Sequence, residues 1–119
     1  MAQLDIKMYK LKVFKGKEAI ANEWLDFLNK NRDEGTKTIK NEKIYLETYF
    51  KSTERDATYV YLFVAGKDIE YANSVARQSQ SFVDVKHFEY MSECIDKDGS
   101  DILDSSLYLN NLEGYLYRV

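Results

Sequence analysis

From Asp5 to Phe14 the chain reads DIKMYKLKVF, and apolar side chains alternate with lysines through Leu11 and Val13, with a shift of phase near Met8 and Tyr9. Alternation at period two marks a half-buried strand, and Gly16 closes it. From Lys17 the period lengthens. Ile20, Trp24, Phe27 and Leu28 recur at i, i+4, i+7 and i+8, Ala21 and Leu25 widen the stripe, and Glu18, Glu23, Asp26 and Lys30 hold the opposite side. This is an amphipathic helix, predicted to run to about Arg32. Gly35 interrupts it, and TKTIKNEK adds a short second helical piece.

KIYLETYFK and ATYVYLFVAG then flank the polar STERD, and their β-branched and aromatic residues at period two predict a hairpin. Ile44, Leu46 and Phe50 are expected on one side and Tyr45, Glu47 and Tyr49 on the other; in the second strand Val60, Leu62 and Val64 alternate with Tyr59, Tyr61 and Phe63. Neither face is polar, whereas an antiparallel sheet with one wet face alternates cleanly. Both faces are therefore expected to be covered, one by helices and the other by a partner sheet. Residues 66–80 read as helix or loop. SFVDVKHFEYMSECID, residues 81–96, reads as a helix opened by Ser81 with Asp84 in the third position of a capping box. DKDGSD is expected to turn, SSLYLNN to form a strand and GYLYRV to end the chain as a strand-like tail. The predicted order is βαββαβ. That is a ferredoxin-like α+β fold, with helices on one face of an antiparallel sheet and residues 1–119 as one domain.

Composition narrows the function classes. Of the 119 residues 45% are hydrophobic and 31% charged, which suits a packed domain, and the net charge is −3. Lysines alternate with carboxylates and never gather into the basic patch that nucleic acid requires. No apolar run is long enough to span a membrane, and MAQLDIKMYK holds no signal-peptide core. A single cysteine forms no internal disulfide. A cytoplasmic protein is expected.

The last helix holds the chain's one histidine and one cysteine. At about 100° per residue, Cys94, His87, Met91, Ile95 and Phe88 share one arc, with Tyr90 at its edge. His87 and Cys94 are seven residues, or about 10 Å, apart along the axis, so they form no nucleophile–base pair, which needs contact near 3 Å. One histidine with scattered carboxylates makes no metal set, and DKDGSDILD places Gly99 out of register for a calcium loop. No metal and no cofactor are expected. Asp84, three residues before His87, is expected to orient the ring and raise its pKa, making the pair an acid–base candidate; the same two residues also suit a helix cap and a packed core histidine. Ten tyrosines give a second candidate. Tyr45, Tyr49, Tyr59 and Tyr61, with Glu47 among them and Tyr90 beside them, are expected to make an amphipathic wall that serves a ligand or a homodimer contact.

YKLKVFKGKEAIANEWLDFLN, KIYLETYF, YVYLFVAG and KHFEYMSECID together resemble a family of small uncharacterised bacterial proteins of the dimeric α/β-barrel group, over most of residues 9–97. The run Lys86, His87, Glu89, Tyr90, Glu93 and Cys94 is the sharpest part. The resemblance implies a homodimer in which two sheets face each other. The wider group holds cofactor-free oxygenases of polyketide quinones, haem-degrading enzymes, muconolactone-type isomerases and proteins without known activity. It therefore transfers no catalytic residue, and fold alone does not give function. Two readings stay open. One is a small-molecule-binding protein, including a cofactor-independent enzyme; the other is a dimerising module without a ligand.

Overall fold

The computed structural model describes residues 4–112. The first alternating segment forms β1 (Asp5–Val13), followed by helices α1 (Glu18–Lys30) and α2 (Arg32–Asn41). The hairpin β2 (Ile44–Thr53) and β3 (Thr58–Gly66) comes next, then α3 (Ile69–Gln78), α4 (Phe82–Cys94) and β4 (Ile95–Asp104). The sheet order is β2-β3-β1-β4 and every pairing is antiparallel. The fold is thus α+β and ferredoxin-like, with two helices in each crossover and an open sheet rather than a barrel closed within the chain.

One face of the sheet carries Leu11, Val13, Val60, Leu62 and Val64, and all four helices pack over it. Ala21 and Trp24 come from α1, Ile39 from α2, Ile69 and Ala72 from α3, and Met91 and Cys94 from α4. Cys94 is fully enclosed there and its thiol is pushed up to about 11 by burial and then by Glu93. It is a small core side chain rather than a thiolate. Residues 66–80, ambiguous by periodicity, are helical from Ile69. The Asp68 side chain caps α3 by accepting from Tyr71 N at 3.0 Å, and Ile69 N donates to the Asp5 carboxylate at 2.8 Å. The step from α2 into β2 passes through Lys43, whose φ of 61° is left-handed. There the two chains run so close that a Cβ on Gly66 would lie 2.6 Å from the Ile44 side chain.

The last strand falls elsewhere than the sequence predicts. DKDGSD is not a turn but the middle of β4, which follows α4 without a loop, and SSLYLNN forms no strand. The tail GYLYRV lies outside the described residues. Charged rungs share this edge with apolar ones, Met8 facing Leu103, Tyr9 facing Ile102 and Val13 facing Ile95. Lys10 of β1 faces Asp101, Lys12 faces Asp96, and Lys7 Nζ meets the Asp104 carboxylate at 3.4 Å. Opposite charges set across a ladder support pairing. Between Lys10 and Lys12 the register shifts, and Ser100 stitches the gap: its Oγ accepts from Lys12 N at 2.9 Å and donates to the Asp96 carbonyl at 2.7 Å.

Candidate functional site

A cleft of about 810 Å3 opens between the helices and the β2 end of the sheet. Leu25 and Leu28 of α1, Ile39 of α2, Leu62 of β3 and Met91 of α4 give it apolar walls. Three acidic side chains interrupt them: Glu42 at the end of α2, Glu47 on β2 and Asp84 in the first turn of α4.

Glu47 reaches the cleft because β2 bulges. Ile44 pairs with Gly66 but Leu46 pairs with Ala65, so Tyr45 is an extra residue that the ladder skips. Directly opposed residues share a face. After the bulge Glu47 lies opposite Val64 and Tyr49 opposite Leu62, which turns both toward the helices. Bulges re-aim side chains in this way. Tyr45 itself stands half-exposed at the mouth of the cleft.

Helix α4 supplies the facing wall. Ser81 caps it, its hydroxyl accepting from Asp84 N at 3.2 Å, while Ser81's own N–H donates to Ser79 Oγ at 3.1 Å. The capping box is thus half closed, and the Asp84 carboxylate is left for the interior. His87 follows one turn later. Its Nδ1 accepts from the Trp24 indole N–H at 3.0 Å, which leaves the ring proton on Nε2. Trp24 is fully enclosed and also meets Tyr49 edge to face at 5.8 Å.

This arrangement reverses one expectation. Asp84 does raise the pKa of His87, but burial outweighs it and the imidazole is lowered to about 4. A buried imidazolium would be poorly solvated, and protonating Nδ1 would also set a proton against the indole N–H. His87 is therefore a neutral hydrogen-bond donor through Nε2 at physiological pH, not a base of raised pKa. The titrating groups are carboxyls. Burial, then Asp84 and Glu47, push Glu42 up to about 8. Burial and Asp84 push Glu47 up to about 7, against a downward pull from the Tyr49 hydroxyl. The Tyr49 phenol is itself raised well above its usual value by burial and then by Glu47 and Glu42.

Of the residues singled out from the sequence, Asp84, His87, Glu47, Tyr49 and Tyr45 come together in the cleft. Tyr59, Tyr61 and Tyr90 do not. Tyr61 pairs with Phe50 and Tyr59 with Ser52 on the opposite face of the sheet, where Lys10 Nζ sits 4.5 Å over the Tyr59 ring. The single tyrosine wall does not exist, because the bulge puts Tyr49 on one face while Tyr59 and Tyr61 keep the other. Tyr90 packs on Phe27 of α1 at 5.6 Å, away from the cleft. Two site residues escaped sequence reasoning. Trp24 read as plain helix stripe, and Glu42 was not singled out within TKTIKNEK. The bulge had a signal: Ile44, Tyr45 and Leu46 are three apolar residues in a row where alternation should continue.

Residues 4–111 match a family of unknown function, DUF6176, and the chain belongs to that family. No curated protein matches it. A crystal structure of a conserved protein from Methanosarcina mazei Go1 is similar over 87% of this chain and 94% of that one, at 20% identity and a TM-score of 0.54. That likeness is one of fold.

Proposed function

We propose that this member of a family of unknown function binds a small molecule in its helix–sheet cleft, and that two copies pair through their outer sheet faces as in the dimeric α/β barrels. The observation that carries the first half is the cleft itself, with a volume of about 810 Å3, apolar walls and three acidic side chains turned inward. Ligand sites of soluble proteins span about 300–1,000 Å3 and combine apolar walls with a few converging polar groups. Here His87 offers an Nε2–H donor, Asp84 an acceptor, and Glu47 a carboxyl that exchanges its proton near neutral pH. A group with that pKa suits general acid–base work. If the ligand is transformed rather than held, Glu47 moves the proton, and Asp84 and His87 orient the substrate.

The second half rests on the uncovered face of the sheet. Met8 opposite Leu103, Phe63 opposite Met8, and Phe50 opposite Tyr61 all point away from the helices. Leu46, Phe50 and Leu103 are about half exposed. A face this apolar marks an interaction surface, and a second copy of the same face is its simplest cover. Tyr59 and Tyr61 then serve the subunit contact rather than the ligand. A cytoplasmic location belongs to the same reading, supported by a single, buried thiol.

Native mass spectrometry on gently purified protein tests both halves. The expected result is a dimer with added mass, and a Met91→Trp variant, whose indole fills the cleft, stays dimeric but loses that mass. A dimer with no added mass, unable to take up any compound from a metabolite extract, would favour a dimerising module without a ligand. A monomer would overturn the pairing.

A further inference from the structure

Three acidic side chains line the cleft, and among the described residues neither Arg32 nor Arg77, which line it too, pairs with them. Asp84 and Glu42 are only 7% and 8% exposed. Among the described residues neither carboxylate accepts a hydrogen bond, and no lysine or arginine comes within 4.0 Å of Asp84, Glu42 or Glu47. No fully enclosed side-chain oxygen or nitrogen lacks a partner among those residues. The unpaired carboxylate oxygens are therefore ones that still meet the cleft. Buried carboxylates are normally paired, so Asp84 and Glu42 await a partner from outside the chain.

Two features indicate what that partner is. No three His, Cys, Asp or Glu side chains among the described residues converge closely enough to hold a metal ion. The same cavity is walled by Leu25, Leu28, Tyr49 and Met91. A point cation would leave those apolar walls wet; a cation on an apolar body would cover them. We propose that the ligand is an organic amine, with its ammonium held at Asp84 in the field of Glu47 and Glu42 and its apolar part against the leucines and Tyr49. This rests on the cleft reading above and narrows it to a substrate class.

The charged groups facing the ammonium are Glu42 from α2, Glu47 from β2 and Asp84 from α4. His87 from α4 is neutral, and Tyr49 from β2 stays protonated. Arg32 and Arg77 also line the cavity, but neither pairs with the three carboxylates. An arriving ammonium favours the ionised forms of Glu47 and Glu42, so binding releases protons and strengthens as pH rises through about 7 to 8.

Isothermal titration with phenethylamine, 2-phenylethanol and phenylacetate, which share a body and differ in charge, is the test. The amine is expected to bind at least tenfold more tightly than either of the others at pH 8. Its heat should differ between phosphate and Tris buffers through proton release, and Asp84→Asn should cost at least tenfold. Asp84→Asn removes one of several like charges, so it should fold; Glu42→Gln is the second variant should it not. Tighter binding of the alcohol or the acid would overturn the amine assignment while keeping the cleft a ligand site. Equal amine affinity in both variants would also overturn it, as would failure of the amine to bind. A neutral or acidic molecule retained in native spectra would separate that failure from failure of the cleft reading.

Discussion

Two places in this molecule gather charge, and they treat it oppositely. Along the β1–β4 edge Lys7, Lys10 and Lys12 lie on rungs opposite Asp104, Asp101 and Asp96, and Lys7 closes an open ion pair with Asp104 that gains little. In the cleft Glu42, Glu47 and Asp84 line one cavity with no ion-pair partner among the described residues, and burial and mutual repulsion make two of them hold their protons far above the usual carboxylate range. The edge charges settle which strands pair. The cleft charges work against folding, and a fold tolerates that only where something else requires them. Paired charge here marks architecture, and unpaired charge marks the site.

The hardest way to break the comparison is through the residue that holds the cleft wall in place. Trp24→Ala removes a fully enclosed indole and the donor to His87. It should cost about 3–5 kcal/mol in urea unfolding, and the pKa of His87, followed by NMR, should rise as Nδ1 loses its donor and water enters. An unchanged histidine titration would mean that the indole does not set its protonation.

The next effect has a sign that depends on pH. Glu42 and Glu47 keep protons in the folded chain at pH values where the unfolded chain, with a carboxyl value of 4.5, has released them. Their contribution to stability is whole below about 4.5 and is lost as pH rises to about 7 for Glu47 and about 8 for Glu42. His87 runs the other way. It is lowered from 6.5 to about 4, so stability rises with pH across that window. The two carboxyls outweigh the one imidazole, which leaves a net decline from about pH 4.5 to 8. Glu42→Gln should therefore stabilise the protein at pH 9, on the order of 1–3 kcal/mol, and do nothing at pH 4. A gain of equal size at both pH values would remove the electrostatic explanation. The smallest effect belongs to the edge. Lys7→Gln should leave the urea midpoint almost unmoved, and any small shift should vanish in 1 M salt. A larger, salt-resistant loss would erase the contrast between the two regions.

How much of this was legible in the sequence follows from which force made each element. β1, α1 and the hairpin are built on apolar periodicity, and the residue pattern places them within a residue or two. α4 was also legible, with Ser81 as its cap and Asp84 and His87 facing inward. β4 was not, because DKDGSD reads locally as a polar turn and the lysines and apolar residues of β1 that it pairs with lie some ninety positions away, of which a local pattern carries no trace. α3 hid for a similar reason: Ile69 and Ala72 are its only buried residues, too few for a stripe. At the site, the Asp84–His87 pair and Glu47 were within reach. The protonation of His87 was not, since it depends on Trp24, sixty-three positions earlier. Glu42 gave no sign at all, because burial, not neighbours in sequence, makes a glutamate unusual.

The bulge at Tyr45 gives the hairpin an uncounted position. Every rung from Leu46 to Thr53 would survive deletion of Tyr45, and Glu47 and Tyr49 would still face the helices. One residue added after Leu46 would turn both out of the cleft while leaving the chain's composition almost untouched. Length variation among relatives at this one place therefore divides into two kinds. A missing residue trims the mouth of the cleft, and an extra one on the far side of the bulge exchanges its floor.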